Sequence, residues 1–460
     1  MKRNLISQAT GPARAIAGAL ALAFCVTAAP ATSHALETAA SAKIQNVVTV
    51  TYYDATGTNS HQAATSTSVT VNLVQAALTA STLVNFPAAV DSGQPSTSYV
   101  ALTSNANGSD NYTLTLTEQT VTNLSGHPYT LNLVTDTSGS NASAITSGTA
   151  GNVTLGASSI VSVAAVSAGA QKISIPAGTL NGIAVGSIVI IGGNSYIVSA
   201  IDNGTQADYG ITGTSTTTNA TPQAEVLGYI TIVKDTNTGG TGSDPNLTTG
   251  TSLAGTLIEQ RKILQITITG TVNSNTVNGT DLIHIDSNTT TGTNNSTQLA
   301  ETATFNFVSV SISKIVHNIT DSSKDVAGNL SATGKPGDIL EYTVTVTNGS
   351  TGNAGKVSIT DAVPSYTTLM TGGQALYPFS GGGSNFANIT DSSANTVNIT
   401  TAVDSETQPG GGTVGYGDAA GTAAGNAVNF YIGTGTTSNA VGGTVAAGVS
   451  YTIKYQVTIN

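Results

Sequence analysis

The sequence predicts an all-β protein. It has two antiparallel β-sandwich domains, the first with a small inserted β-unit, and a two-strand segment stands ahead of them. Three observations carry this. The 460 residues are 39% hydrophobic but only 8% charged, against about 25% charged in an ordinary soluble protein. The apolar residues fall in short alternating runs rich in Val, Ile, Thr and Tyr, which suit pleated strands and argue against disorder. No stretch beyond the first 35 residues shows a 3.6-residue period, and Gly, Asn and Pro punctuate the runs as turn material.

The first 35 residues form a segment of their own. Lys2, Arg3 and Arg14 make a basic start, and residues 15–27 are an apolar run too short for a stable bilayer anchor. Ser33 and Ala35 put small residues where a signal peptidase reads, so residues 1–35 are expected to be a signal peptide cleaved after Ala35. Cleavage removes Cys25, the one cysteine. The mature chain is then expected to lack disulfides, thiol nucleophiles and thiolate metal sites. Losing three cations takes the formal charge from −11 to −14, which excludes nucleic acid as an expected partner. No later run of about twenty apolar residues reads as a membrane span.

Residues 36–75 are the leading strand pair. Lys43 to Gly57, "KIQNVVTVTYYDATG", reads as a strand entering an Asp-Ala-Thr-Gly turn. Ser66 to Val74 reads as its partner, with Val69, Val71 and Leu73 on one face. An isolated hairpin is only marginally stable in water, so this one needs something to pack on. The first domain follows at 76–304. Its inserted unit, at about 165–230, is marked by the Gly-punctuated short runs of Ala170 to Ile201. Long alternating strands return at Glu225–Asp235 and Lys262–Val272, and Thr302–Val316 bridges into the last domain, 305–460. In the final strand Tyr451, Ile453, Tyr455, Val457 and Ile459 face one way and Thr452, Lys454, Gln456, Thr458 and Asn460 the other, as a half-buried antiparallel strand requires. The two domains share a plan. Tyr99 stands six residues before Asn105, as Tyr342 does before Asn348, and Leu114 and Leu116 match Val357 and Ile359. A spacing of about 240 residues means two like domains and not a solenoid.

The clearest motif is "GKPGDILEYTVTVTNGSTGNAGKVSITDAVP", Gly334 to Pro364. It resembles the conserved-repeat family of immunoglobulin-like domains in prokaryotic surface proteins, a domain of unknown function. The resemblance rests on Pro336, Gly337, Asp338, Tyr342, Thr347, Asn348, Asp361 and Pro364, with Lys314 in the lead-in. It spans about 311–460 and is weaker over 93–116, where Pro-Gly-Asp is missing. It implies two Ig-like sandwiches in an exported wall, sheath or filament component, and it carries no catalytic residue. Each motif residue has a structural reason. Pro-Gly-Asp makes a tight turn. Tyr342, Val344 and Val346 are expected to face the core, Asn348 to open a turn, and Asp361 and Pro364 to end a strand.

Little chemistry is expected, and the chain does not read as an enzyme. His61, His127, His284 and His317 form no metal pair at helical or hairpin spacing and read as solvated loop or strand residues. No cofactor is expected, with one exception to weigh. Asp235, Asn237 and Gly239 stand at alternate positions, a spacing of oxygen ligands that suits calcium, but the companion carboxylate is missing and ordinary turn material competes. Lys314, Glu341 and Asn460 are residue types that some Ig-like pilin domains join in a Lys–Asn amide bond beside a buried acid. The alternation instead places Lys314 and Glu341 on the solvent face.

The expected function is a secreted structural protein of the prokaryotic surface, extracellular or on the cell surface, that assembles with itself as a filament or matrix subunit. Val48, Val50 and Tyr52 share the more apolar face of the leading strand and are the candidate donor-strand residues, with Thr49 and Thr51 opposite. The alternative is a monomeric adhesin that binds other surface proteins or glycans through loops such as Phe379–Asn385.

Overall fold

The computed structural model describes residues 38–58, 60–135, 143–146, 150–167, 169–206, 225–235, 245–289, 299–370, 385–394, 396–400, 406–407, 413–415, 417–419, 427–435 and 442–460. The leader at 1–35, Asn237 and residues 379–384 of the proposed adhesin loop lie outside them. Regular structure among the described residues is strand throughout, apart from one 3-10 turn at Ser322–Lys324. No helix among them is long and apolar enough to cross a membrane.

The leading segment is a ribbon of β1 (Lys43–Tyr53) and β2 (Ser60–Thr70), paired without a break from Lys43 opposite Thr70 to Tyr53 opposite Ser60. Asp54 builds its turn. Its carboxylate accepts the backbone N–H of Thr56 and of Thr58, both at 3.1 Å, and its carbonyl accepts Gly57 N–H at 3.0 Å. Gly57 takes φ +71°, a value open to glycine at little cost. β2 begins six residues before the expected Ser66 and stops at Thr70, so Val71 and Leu73 leave the ribbon.

The chain next supplies the first sandwich: β3 (Thr79–Val84), β4 (Val90–Asp91), β5 (Pro95–Thr103), β6 (Asp110–Thr122), β7 (Leu124–Gly126), β8 (Tyr129–Val134), β9 (Ser143–Thr146) and β10 (Ala150–Leu155). An inserted unit follows with β11 (Ala157–Ser159), β12 (Ser162–Ser167), β13 (Ala170–Ile175), β14 (Ile188–Ile191), β15 (Asn194–Asp202) and β16 (Gly228–Lys234). The sandwich resumes with β17 (Leu257–Thr269), β18 (Thr271–Val272), β19 (Gly279–Thr289) and β20 (Leu299–Asn306). One sheet runs β10-β6-β19-β20-β4; facing it, β17 carries β5 and β3 along one edge and β8 with β9 along the other. Alternate side chains of both sheets, among them Leu102, Tyr112, Leu114, Leu131, Ile266 and Phe305, fill the space between.

The insert has its own core, built on Ile173, Ile175, Val189, Val198, Ile230 and Ile232. β17 serves both units. Ile258 packs into the insert, while Leu264, Ile266 and Ile268 pack into the sandwich. Phe305 is fully buried in the first core, so the first sandwich reaches Asn306, two residues past the expected boundary.

The second sandwich contains β21 (Val310–Asn318), β22 (Ile339–Asn348), β23 (Ser358–Ala362), β24 (Thr367–Leu369), β25 (Asn385–Asp391), β26 (Thr396–Thr400), β27 (Glu406–Thr407), β28 (Thr413–Gly415), β29 (Gly417–Ala419), β30 (Ala427–Tyr431) and β31 (Ser450–Ile459). One sheet runs β21-β22-β31-β25-β26 with β24 also on β31; the other runs β23-β30-β29, and β27 pairs with β28. Val344, Val346, Phe386, Phe430, Ile453 and Tyr455 make the core. Hydrogen bonds tie the sandwiches at their junction, among them Gly352 N–H to Phe307 O at 3.0 Å, Asn353 Nδ2 to Asp91 at 2.9 Å and the Thr351 hydroxyl to Asn278 Oδ1 at 2.7 Å.

Candidate assembly site

The ribbon stands out because of what surrounds it. Among the described residues β1 and β2 pair only with each other. Val48, Val50 and Tyr52 are 41%, 47% and 53% exposed, and Ile44 and its cross-strand partner Val69 are exposed on the same face. Alternation collects these apolar side chains on one side of the ribbon, and among the described residues no buried core cluster includes them.

Its base, by contrast, is fixed to the first sandwich and the insert. Ala39, Ala40 and Ala42 are buried. Ala40 N–H donates to Asn107 O at 2.7 Å, and Asn181 Nδ2 donates to Ala40 O at 2.9 Å. The side chain of Asn107, fully buried, clamps both legs of the ribbon. Its Nδ2 donates to Thr38 O at 2.9 Å and Asn72 O at 3.2 Å, and its Oδ1 accepts Val74 N–H at 2.7 Å. Gly108 leaves room for this contact, since a Cβ there would lie 2.5 Å from that of Ala40. The ribbon is therefore a rooted projection.

The motif residues take structural positions. Lys335 to Asp338 is a turn closed by Asp338 N–H to Lys335 O at 3.0 Å, with Pro336 leading and Gly337 at φ +90°. The Asp338 carboxylate accepts Lys335 N–H at 3.0 Å and Asn318 Nδ2 at 3.1 Å; these bonds, the backbone one first, hold it below the usual carboxylate range. Asn348 is fully buried and donates from Nδ2 to Gly352 O at 2.9 Å and Val445 O at 2.8 Å. Asn107 is likewise a buried side-chain clamp in the first sandwich, while the Asn105 that spacing selects donates from Nδ2 to Ala77 O at 2.5 Å. Pro364 O accepts the hydroxyl of Thr367 at 2.7 Å.

Asp361 does more than end a strand. Its carboxylate accepts Lys314 Nζ at 2.6 Å and the Tyr455 hydroxyl at 2.8 Å, which joins β21, β23 and β31. Lys314 Nζ also lies 4.5 Å from the Tyr342 ring centre, and that ring stacks on Tyr455 at 5.2 Å. Burial, then the bond to Asp361 and its charge, push the Tyr455 hydroxyl far above its ordinary pKa.

Lys314, Glu341 and Asn460 are not brought together. Lys314 is in register with Val344 and so belongs to the core-facing row, not the solvent face. Glu341 lies on the opposite face, yet it is only 8% exposed, because β22 is a central strand flanked by β21 and β31. Its carboxylate accepts Lys454 Nζ at 3.1 Å and Gln456 Nε2 at 2.9 Å. Asn460, exposed at the chain end, accepts the Thr368 hydroxyl at 2.7 Å.

Asp235 is fully buried and accepts the Ser195 hydroxyl, with the Arg261 guanidinium near enough to feel its charge. Three histidines depart from the solvated expectation, and His284 does so with a buried Nδ1. His317 Nδ1 meets Asp325, and His127 Nδ1 lies 2.7 Å from Glu118 and 3.6 Å from Asp281.

No family model matches the chain, and no curated protein does. Among solved structures, the chain is similar to the C-terminal domain of the AgI/II polypeptide BspA of Streptococcus agalactiae. That similarity has 7% identity, covers 83% of this chain and 91% of that one, and gives a TM-score of 0.26. A putative membrane-anchored protein from Corynebacterium diphtheriae shows 8% identity over 91% of this chain and 88% of its own, with a TM-score of 0.18. At this overlap the likeness fixes neither domain arrangement nor activity.

Proposed function

We propose that the chain is a secreted structural subunit of a prokaryotic surface, and that it assembles with copies of itself by strand addition. The observation that carries this is the rooted ribbon, whose apolar face is exposed and whose outer edges have no partner among the described residues. Burying Val48, Val50 and Tyr52 against another copy is worth roughly 5–8 kcal/mol before ordering costs.

The same molecule offers a receiving edge. β21 pairs only with β22 among the described residues, and its first six residues are exposed on both faces, Ile312 by 63%. Val310, Ile312 and Ile315 give it exposed apolar side chains, and the backbone groups of Val310 and Ile312 face away from β22 with no strand partner among the described residues, which makes an open edge a template for another strand. The β1 edge of one copy on β21 of the next gives backbone bonds for affinity and alternate side chains for register.

The test is negative-stain electron microscopy of the full chain beside a variant with Lys43–Thr70 replaced by an Asn-Gly turn. Fibres from the first and none from the second are expected. Single particles from the intact chain across a range of concentration and salt would remove strand addition as the function.

A further inference from the structure

We propose that Glu118, His127 and Asp281 bind one divalent cation of the zinc class at the end of the first sandwich. On β6 the core row is Tyr112, Leu114 and Leu116, and the next residue in that row is Glu118. On β19 the core row reads Ile285, Ile283 and then Asp281. The two strands are neighbours, and a bulge in β6 beside Ile283 brings both acids to the same end of the sheet. The connection from β7 to β8 crosses that end and delivers His127.

Asp281 is the observation that calls for a ligand. It is 0% exposed, and neither of its carboxylate oxygens has a hydrogen-bond partner. A buried carboxylate in that state is costly unless a cation compensates it. Among the described residues its only ion-pair contact is His127, at 3.6 Å, and His127 is shared with Glu118. Among the described residues no lysine or arginine forms an ion pair with either acid.

The three ligand atoms lie within 4.8 Å of one another. An ion about 2.1 Å from each donor needs them about 3–4 Å apart, so small side-chain shifts complete the site. Imidazole with two carboxylates is a nitrogen–oxygen set that suits zinc; calcium and magnesium favour oxygen alone. Glu118 and His127 are partly exposed, which leaves an entry path and room for a water as fourth ligand. The ion would fasten the β7–β8 connection to β6 and β19 without a disulfide.

The experiment is equilibrium dialysis of the tag-free full chain, first stripped with a chelator, against zinc chloride. Circular dichroism on the same samples reports the β-sheet fold. The parent is expected to hold one zinc per chain at micromolar concentration, as is His317→Gln, which removes the other carboxylate-paired histidine. Asp281→Asn, which keeps the side-chain shape, and His127→Gln, at a partly exposed position, are each expected to bind at least tenfold more weakly. A folded parent that takes up no stoichiometric zinc overturns the proposal. So does a folded His127→Gln or Asp281→Asn that binds as tightly as the parent.

Discussion

Asp361 holds partners from two other strands, and losing it affects each differently. Tyr455 is fully buried and has its hydroxyl on the Asp361 carboxylate; Lys314 is partly exposed and keeps water available. A buried donor stripped of its acceptor bears the full desolvation penalty, whereas an exposed ion pair is worth little. Asp361→Ala is therefore expected to destabilise the second sandwich by roughly 2–4 kcal/mol. Lys314→Met, which keeps the aliphatic stem over the Tyr342 ring, should cost under about 1 kcal/mol. Urea unfolding followed by tyrosine fluorescence measures both, and equal losses would contradict this division. A sequence cannot show such a difference. The alternation in residues 451–460 identifies Tyr455 as core, but Asp361 reaches it from a strand of the opposite sheet.

At the scale of elements, the ribbon depends on its root. Gly108→Ala places a Cβ where the Ala40 methyl sits, with 2.5 Å between them. Backbone on one side must yield, and the Asn107 clamp shares that backbone. The expected outcome is faster hydrogen exchange at 38–42 and 71–74, with exchange in the β17 core unchanged. Unaltered exchange at the root would show that the sandwich absorbs the clash. The first strand of the ribbon was legible in its alternation and the turn in Asp-Ala-Thr-Gly. The start of β2 was not, because Ser60 to Ala64 carry small and polar side chains with little strand preference, and β1 pairs them into a strand regardless. The buried Glu341 was missed for a related reason. Alternation assigns a face, but only the number of neighbouring strands decides how deeply that face is covered. The Glu118–His127–Asp281 cluster left half a signal, a carboxylate continuing an apolar row on each of two strands. Nothing in the sequence placed those rows side by side.

For the whole molecule, the ribbon belongs to the N-terminal part and the edge of β21 to the second sandwich, so the proposed donor and acceptor are different surfaces of one chain. A contact between unlike surfaces repeats without closing unless its rotation happens to form a ring, and an open fibre is its general product. This can be separated from ribbon-to-ribbon pairing, which is two-fold and stops at a dimer. Consider a variant without the ribbon, Lys43–Thr70 replaced by Asn-Gly, and a second with Ile312→Pro and Ser313→Lys, which removes an outward-facing backbone donor and adds charge to the receiving edge. Each alone should sediment as a monomer, since one lacks the donor and the other the acceptor. Mixed in equal amounts they retain one working interface, because the second variant still has its ribbon and the first still has its edge. Analytical ultracentrifugation is expected to show a heterodimer and nothing longer. If the edge variant alone forms dimers, the ribbons pair with each other and the assembly is not head-to-tail. If the mixture stays monomeric while the parent polymerises, the receiving edge lies on a strand other than β21.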